Sequence, residues 1–260
     1  MSNLNKSKDF ALILGGSKGI GFEVAKQMLS KNYHIILNSR NPFNAYNELK
    51  NNYEDKIILL PGDISEDSTL KNLIDILENI NKLDSILINY GGPNIKPFYE
   101  VTYNEWIDYF KIMFLSPIEI IKNTVKYLKN SEYPRIVAIT SFTTKKITAN
   151  MIVSNSLRIA LVNALKTINL ELSEMFEKKI LINAVAPGYI NTQRLQDFIS
   201  KQSQILNINE KDYIKQIEKN ILVKRISEPE EIAKFIAFLL SYENTYINNQ
   251  HIFFDGGIVY

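Results

Sequence analysis

The 260 residues, 45% of them hydrophobic, suffice for one α/β domain with a large core. A net charge of +2 and the lack of any apolar run near the roughly 18 residues of a membrane span exclude a nucleic-acid binder and a membrane protein, and leave a small-molecule partner. With no cysteine and only His34 and His251, disulfides, thiolate metal sites and Cys/His catalysis are excluded, and no metal is expected.

In chain order, the polar start MSNLNKSKDF has no leader-like apolar stretch, so a soluble cytoplasmic protein is expected. Short apolar runs then alternate with helix-length amphipathic stretches, the pattern of βα units feeding a mostly parallel sheet. Strands are predicted over residues 10–15, 34–38, 56–60, 85–89, 135–140, 180–185 and 251–254, and helices from near Gly19, Phe43, Glu66, Thr102, Met151 and Glu228, with Ser65 and Ser227 as caps. The expected fold class is α/β: a single Rossmann-type doubly wound domain over 1–260, about seven parallel strands with helices on both faces. Tyr99, Tyr103, Trp106, Tyr109 and Phe110 open a long helix and read as core or subunit-interface packing. Residues 191–224, polar but helical in pattern, read as a lid. Its Arg194, Lys201, Lys224 and Arg225 read as a solvated face, with an acidic substrate or carrier as the alternative. His34 and His251 lie inside predicted strands and read as structural.

The first strand runs into Gly15-Gly16-Ser17-Lys18-Gly19-Ile20-Gly21 and then a helical pattern. Glycine is needed where the chain turns tightly, where backbone must approach a pyrophosphate and where helix meets strand; the helix N-terminus supplies free N–H groups to the phosphates. Gly15, Gly19 and Gly21 take those roles, with Ser17, Lys18 and Ile20 in the same cofactor-binding turn.

With Asp63-Ile64, Asn89-Tyr90-Gly91-Gly92, Pro187-Gly188 with Thr192, and Asp255-Gly256-Gly257 following in order, the chain resembles the short-chain dehydrogenase/reductase family over essentially its full length. The resemblance implies that Asp63 and Ile64 flank the adenine, that Asn89, Tyr90 and Gly91 close the pocket floor, and that Pro187, Gly188, Ile190 and Thr192 lie along the nicotinamide. It also implies a homotetramer.

An acid at the end of the second strand would bind the ribose 2′-hydroxyl of NAD, but the chain reads Asn38-Ser39-Arg40 there. Arg40, with Ser39 beside it and Lys18 in the turn, suits a 2′-phosphate, so NADP(H) is the expected cofactor.

The family's chemistry is hydride transfer between nicotinamide and a carbonyl or alcohol carbon. It uses a tyrosine acid/base, a lysine four residues on, a serine about 13 upstream and an asparagine on the preceding helix. Here the serine position is Ser141, but the tyrosine position is Ser154, the lysine position Arg158 and the asparagine position Met113. Tyr46 and Lys50 repeat the Tyr-x3-Lys spacing where it cannot reach the nicotinamide. The chain thus resembles a divergent branch close to β-ketoacyl-carrier-protein reductases with an altered tetrad. Serine is far less acidic than a phenol and arginine does not give up its proton, so another group must supply one. Tyr189, Lys145 and Lys146 are the candidates by proximity. The expected function is an NADP(H)-dependent oxidoreductase for a small carbonyl or alcohol, with Ser141, Ser154, Arg158 and Tyr189 at the catalytic end and Arg158 also gripping the ribose. The alternatives are a catalytically silent NADP(H)-binding sensor or scaffold, and a lyase, isomerase or epimerase on a related scaffold.

Overall fold

A computed structural model describes residues 8–177 and 180–259. The polar segment before Lys8, and the two ends of the expected 1–260 domain with it, lie outside the described residues. Seven strands form one parallel sheet in the order β3-β2-β1-β4-β5-β6-β7. They are β1 (Phe10–Ile13), β2 (His34–Ser39), β3 (Ile57–Pro61), β4 (Ser85–Ile88), β5 (Arg135–Ile139), β6 (Leu181–Pro187) and β7 (His251–Phe254). The helices are α1 (Gly19–Ser30), α2 (Phe43–Tyr53), α3 (Asp67–Ile80), α4 (Tyr103–Phe110), α5 (Ser116–Leu128), α6 (Ile152–Met175), α7 (Gln193–Leu206), α8 (Glu210–Lys219) and α9 (Pro229–Leu240).

The strands carry apolar residues on both faces because both faces are covered. Ala11, Ile13, Leu37, Val137 and Val185 point to a layer containing Val24, Met28 and Ile236 of α1 and α9. The alternate residues Leu12, Ile36, Ile86, Ile88 and Ile136 point to the opposite layer, with Leu73, Ile120 and Leu161 of α3, α5 and α6. The period-two alternation of side chains thus divides one sheet between two cores.

Two expected caps are corrected. The residue before α3 is Glu66, without a side-chain cap, because the Ser65 hydroxyl donates to Asp63 Oδ1 at 2.8 Å instead. The residue before α9 is Glu228, which forms a reciprocal capping box with Glu231. The long aromatic helix is corrected too: α4 and α5 are separated by a π-helical turn, Lys111–Leu115, whose register change was not visible in the apolar pattern. Of its aromatic residues, Trp106 and Tyr109 pack inward against Met113, whereas Tyr99 and Tyr103 are exposed. The segment 191–224 carries α7 and α8, which bury Leu195, Ile199 and Ile217 beneath them.

His251, on the edge strand β7, faces the end of β5. The Thr140 and Thr144 hydroxyls both donate elsewhere, to the Val185 and Ser141 carbonyls, so each accepts from His251 Nε2, at 3.1 and 3.4 Å. Burial, reinforced by Lys166, pushes the His251 pKa down to about 4. The unfolded chain therefore binds the extra proton more readily as pH falls from about 6.5. This contribution to stability is complete above pH 6.5 and lost as pH falls toward 4. The melting temperature is expected to decline over that window and to decline less in His251→Gln; equal pH profiles for the two proteins would refute this.

Candidate active site

The strand order reverses between β1 and β4, where α/β sheets open a crevice at their carboxyl ends. The turn after β1 sits in it. Gly15 has φ +62°, and a side chain there or at Gly21 would collide with Asn89 at the end of β4. Asn89 Nδ2 holds the Gly15 carbonyl at 3.1 Å, so the β1 turn and the β4 end form one unit. Gly19, φ +57°, leaves room for Thr192, whose Cγ2 would lie 3.2 Å from any added Cβ. The first turn of α1 has neither a capping side chain nor an acid, unlike α4 and α9 with their capping boxes. Uncapped N–H groups behind a glycine turn that excludes side chains fit a pyrophosphate.

At the end of β2, Asn38 Nδ2 bridges to the Leu60 and Gly62 carbonyls at 2.9 and 3.2 Å, closing the β2–β3 gap. The neighbouring Ser39 hydroxyl oxygen is buried without a partner. Lys18 and Arg40 are exposed there, and neither forms an ion pair with a described carboxylate. Asp63, which accepts from the Ser65 amide at 3.0 Å, holds the turn that carries Ile64. These groups fit a ribose 2′-phosphate with no acid to oppose it.

Beyond β5 the side chains form a directed chain. Arg158 of α6 is 7% exposed, with Nη1 on the Ile139 and Thr140 carbonyls at 3.2 and 2.8 Å. Its Nε donates to Ser154 Oγ at 3.2 Å. Ser154 lies 3.4 Å from Thr143 Oγ1, which donates to Ser141 Oγ at 3.1 Å; the Thr143 amide donates to the same oxygen at 3.2 Å. Because Thr143 uses its one hydroxyl proton on Ser141, it accepts from Ser154. All donors then run one way, from the guanidinium through two buried hydroxyls to Ser141. With its oxygen already accepting twice, the half-buried Ser141 points its own O–H outward. Burial pushes the Arg158 pKa down, Tyr90 opposing, but a guanidinium still stays charged. The Tyr90 ring lies 5.4 Å from Arg158 Cζ, its hydroxyl buried without a partner and its pKa raised by burial.

A family model described as enoyl-(acyl carrier protein) reductase matches residues 15–259. The NADPH-dependent reductase BacG of Bacillus subtilis is 30% identical over 96% of this chain and 98% of its own. The chain belongs to the short-chain dehydrogenase/reductase family. Among solved structures, YwfH, titled an NADPH-dependent reductase involved in bacilysin biosynthesis, is 29% identical with a TM-score of 0.89, covering 97% of this chain and 99% of its own. ElxO with NADP bound is 26% identical with a TM-score of 0.82, covering 96% and 98%.

Ser141, Ser154 and Arg158 are brought together, but Thr143, wholly buried, is the member that sequence spacing missed. No period or charge marks it; only its place two residues after Ser141 does. Met113, also wholly buried, sits in the π-helical turn against Val153 and Leu157, making the wall apolar there. Tyr189 does not join the chain: its ring packs on Phe142 at 5.4 Å and burial raises its pKa. Lys145 lies over Phe253, and Lys146 donates to the Ile258 carbonyl at 3.3 Å. Both lysines are exposed and neither contacts the hydroxyl chain. Pro187, Gly188 and Ile190 follow β6, where Gly188 gives Asp255 close access to the backbone. Tyr46 and Lys50 stack on one another along α2, away from Ser141.

Proposed function

We propose that this protein is an NADP(H)-dependent oxidoreductase acting on a small carbonyl or alcohol, with Ser141 as the group that holds the reacting oxygen. The observation that carries the proposal is the one-way hydroxyl chain, which leaves Ser141 free to act as a donor. The cofactor supplies the hydride when bound. The residues suited to hold it are Gly15, Ser17, Gly19, Ile20 and Gly21 at the pyrophosphate, and Lys18, Ser39 and Arg40 at the 2′-phosphate. Asp63 and Ile64 suit the adenine, and Asn89, Tyr90, Gly91, Pro187, Gly188, Ile190 and Thr192 the nicotinamide half. The NADPH dependence stated for BacG and YwfH, and the NADP bound in ElxO, support the assignment.

Ser141 stabilises negative charge on the carbonyl oxygen as hydride arrives, and the cation of Arg158 polarises that donor through Ser154 and Thr143. We also assign Arg158 to the nicotinamide ribose. No member of the hydroxyl chain releases a proton at neutral pH, and Ser141, its oxygen already accepting twice, only donates a hydrogen bond, so the substrate oxygen takes its proton directly from solvent. Tyr189 forms the wall beside it.

The test is NADPH oxidation across ketones and aldehydes; failure with every one of them, with NADPH tightly bound, would favour a silent sensor instead. NADPH is expected to bind about 10- to 100-fold more tightly than NADH, the value of charged hydrogen bonds to one phosphate. Arg40→Ala should close most of that gap; equal dissociation constants in the unaltered protein would refute the preference.

We also place the protein in the cytoplasm as a homotetramer. No described helix is long and apolar enough to cross a membrane. Exposed Leu115 near α4 and exposed Leu170 and Met175 of α6 offer apolar surface for subunit contacts. Light scattering should give four times the 30.0 kDa chain mass; a monomer would refute it.

A further inference from the structure

Arg194 differs from Lys201, Lys224 and Arg225. Arg225 forms a bidentate pair with Glu231 at 2.6 and 2.7 Å, Lys224 donates to the Lys219 carbonyl at 2.8 Å, and Lys201 is exposed. Arg194, in the first turn of α7, is exposed as a residue, but its guanidinium turns inward over the loop that follows β4. Its Nη2 reaches the Pro93 carbonyl at 3.4 Å, and a Cβ on Gly92 would lie 2.6 Å from its Cζ. Glycine at position 92 is what lets the guanidinium lie against that loop. Two residues earlier in the loop, Tyr90 lies under Arg158.

Two cations therefore share one wall of the crevice. Burial lowers the Arg194 pKa most, and the positive charge of Arg158 lowers it further. Among the described residues, neither arginine forms an ion pair. The neighbours whose charge bears on them are the phenols Tyr90 and Tyr109, and the Tyr109 hydroxyl already accepts from the Asn94 amide at 3.2 Å. Like charges gathered on a partly dehydrated wall are unfavourable unless an anion joins them. The cofactor's phosphates have other positions: the α1 N-terminus beside Thr192, and Lys18 with Arg40. The guanidinium of Arg194 lies instead against Gly92 and Pro93, in the loop whose Tyr90 packs on Arg158.

We infer that Arg194 anchors a carboxylate of the substrate, with the cation of Arg158 behind it, so that the reducible carbonyl belongs to an oxo acid. This deepens the oxidoreductase reading and rests on it. It predicts a charge-assisted, two-donor contact at the mouth of the site, and it makes Arg194 a specificity residue.

Calorimetric titration of the NADP⁺ complex tests this without turnover, because the oxidised cofactor has no hydride to give. The probes are 4-oxopentanoate and 2-oxo-4-phenylbutanoate, each against its methyl ester. The acids are expected to bind about 10- to 100-fold more tightly than the esters. Arg194→Met should erase that gap, Arg194→Lys should keep part of it, and the NADPH dissociation constant should stay within about twofold in both. Equal affinity for acid and ester, no binding of either acid, or a gap that survives in Arg194→Met overturns the inference. So does a Met variant whose main loss is in NADPH binding, which would assign Arg194 to a cofactor phosphate. If the acid preference and its loss in Arg194→Met are seen but no oxo acid is reduced, the anchor stands and the oxidoreductase reading falls. If neutral ketones are reduced as readily as oxo acids, the anchor falls and the oxidoreductase reading stands.

Discussion

Ser141→Ala should lower kcat about 10²- to 10³-fold with little change in NADPH affinity, the usual cost of removing one donor to a developing oxyanion. The reason lies in direction: Ser141 accepts from the Thr143 amide and hydroxyl, so its only outward capacity is as a donor. Thr143→Val tests the chain itself. It nearly preserves the shape of a wholly buried side chain but cuts the link between Ser154 and Ser141. Steady-state kinetics should then show a fall in kcat of about fivefold, restored by Thr143→Ser, since the polarising effect of one neutral hydrogen bond is near 1 kcal/mol. Unchanged kcat in both Ser141→Ala and Thr143→Val would sink the mechanism. A loss in Thr143→Val that Thr143→Ser did not restore would mean that the methyl packing, not the hydroxyl, matters.

Gly21→Ala should abolish cofactor binding and destabilise the fold together. Alanine in a helix interior gains about 1 kcal/mol over glycine, so propensity alone predicts the opposite. Here the added Cβ would press on the Gly15 carbonyl and lie 2.7 Å from Asn89 Nδ2, forcing the β1 turn away from the β4 end. Overpacking of this kind costs about 1–3 kcal/mol, more than the propensity gain. Displaced turn amides that donate to phosphate would cost about 100-fold or more in NADPH affinity. Gly91→Ala is the control for stability alone: nothing lies within 4 Å of the added Cβ, and its melting temperature should match the unaltered protein. Fluorescence titration and thermal melts check both. Tight NADPH binding by Gly21→Ala would show that the turn is not the cradle.

What the sequence disclosed and what it hid divide along physical lines. The seven strands were legible because buried parallel strands are nearly unbroken apolar runs, and all seven lie within a few residues of their predicted positions. The glycine turn was legible because steric demand leaves one residue type. Ser154 and Arg158 could be placed by counting from Ser141, since α6 and the strand before it keep a fixed register, and Met113 by counting from Trp106. Cap positions were misplaced because Ser65 and Ser227 both satisfy acids nearby, Asp63 and Glu231, rather than the helix ends. The π-helical turn at Lys111–Leu115 inserts a register change that no hydrophobic period carries. Thr143 and the inward turn of Arg194 depend on partners that the fold brings together from distant segments, and an isolated charge or hydroxyl gives no sign of them.

A hydroxyl chain headed by a guanidinium also has no member that titrates through the neutral range. Enzymes that use a phenol or imidazole as their acid tie rate to its ionisation, and so operate within a window set by one pKa. A site built from Ser141, Thr143, Ser154 and Arg158 has no such window of its own. On the acidic side the fold adds a sensitivity of its own, through His251, whose ring bonds Thr140 and Thr144 on either side of Ser141. The acid sensitivity that His251 adds is thus a property of the fold rather than of the hydroxyl chain.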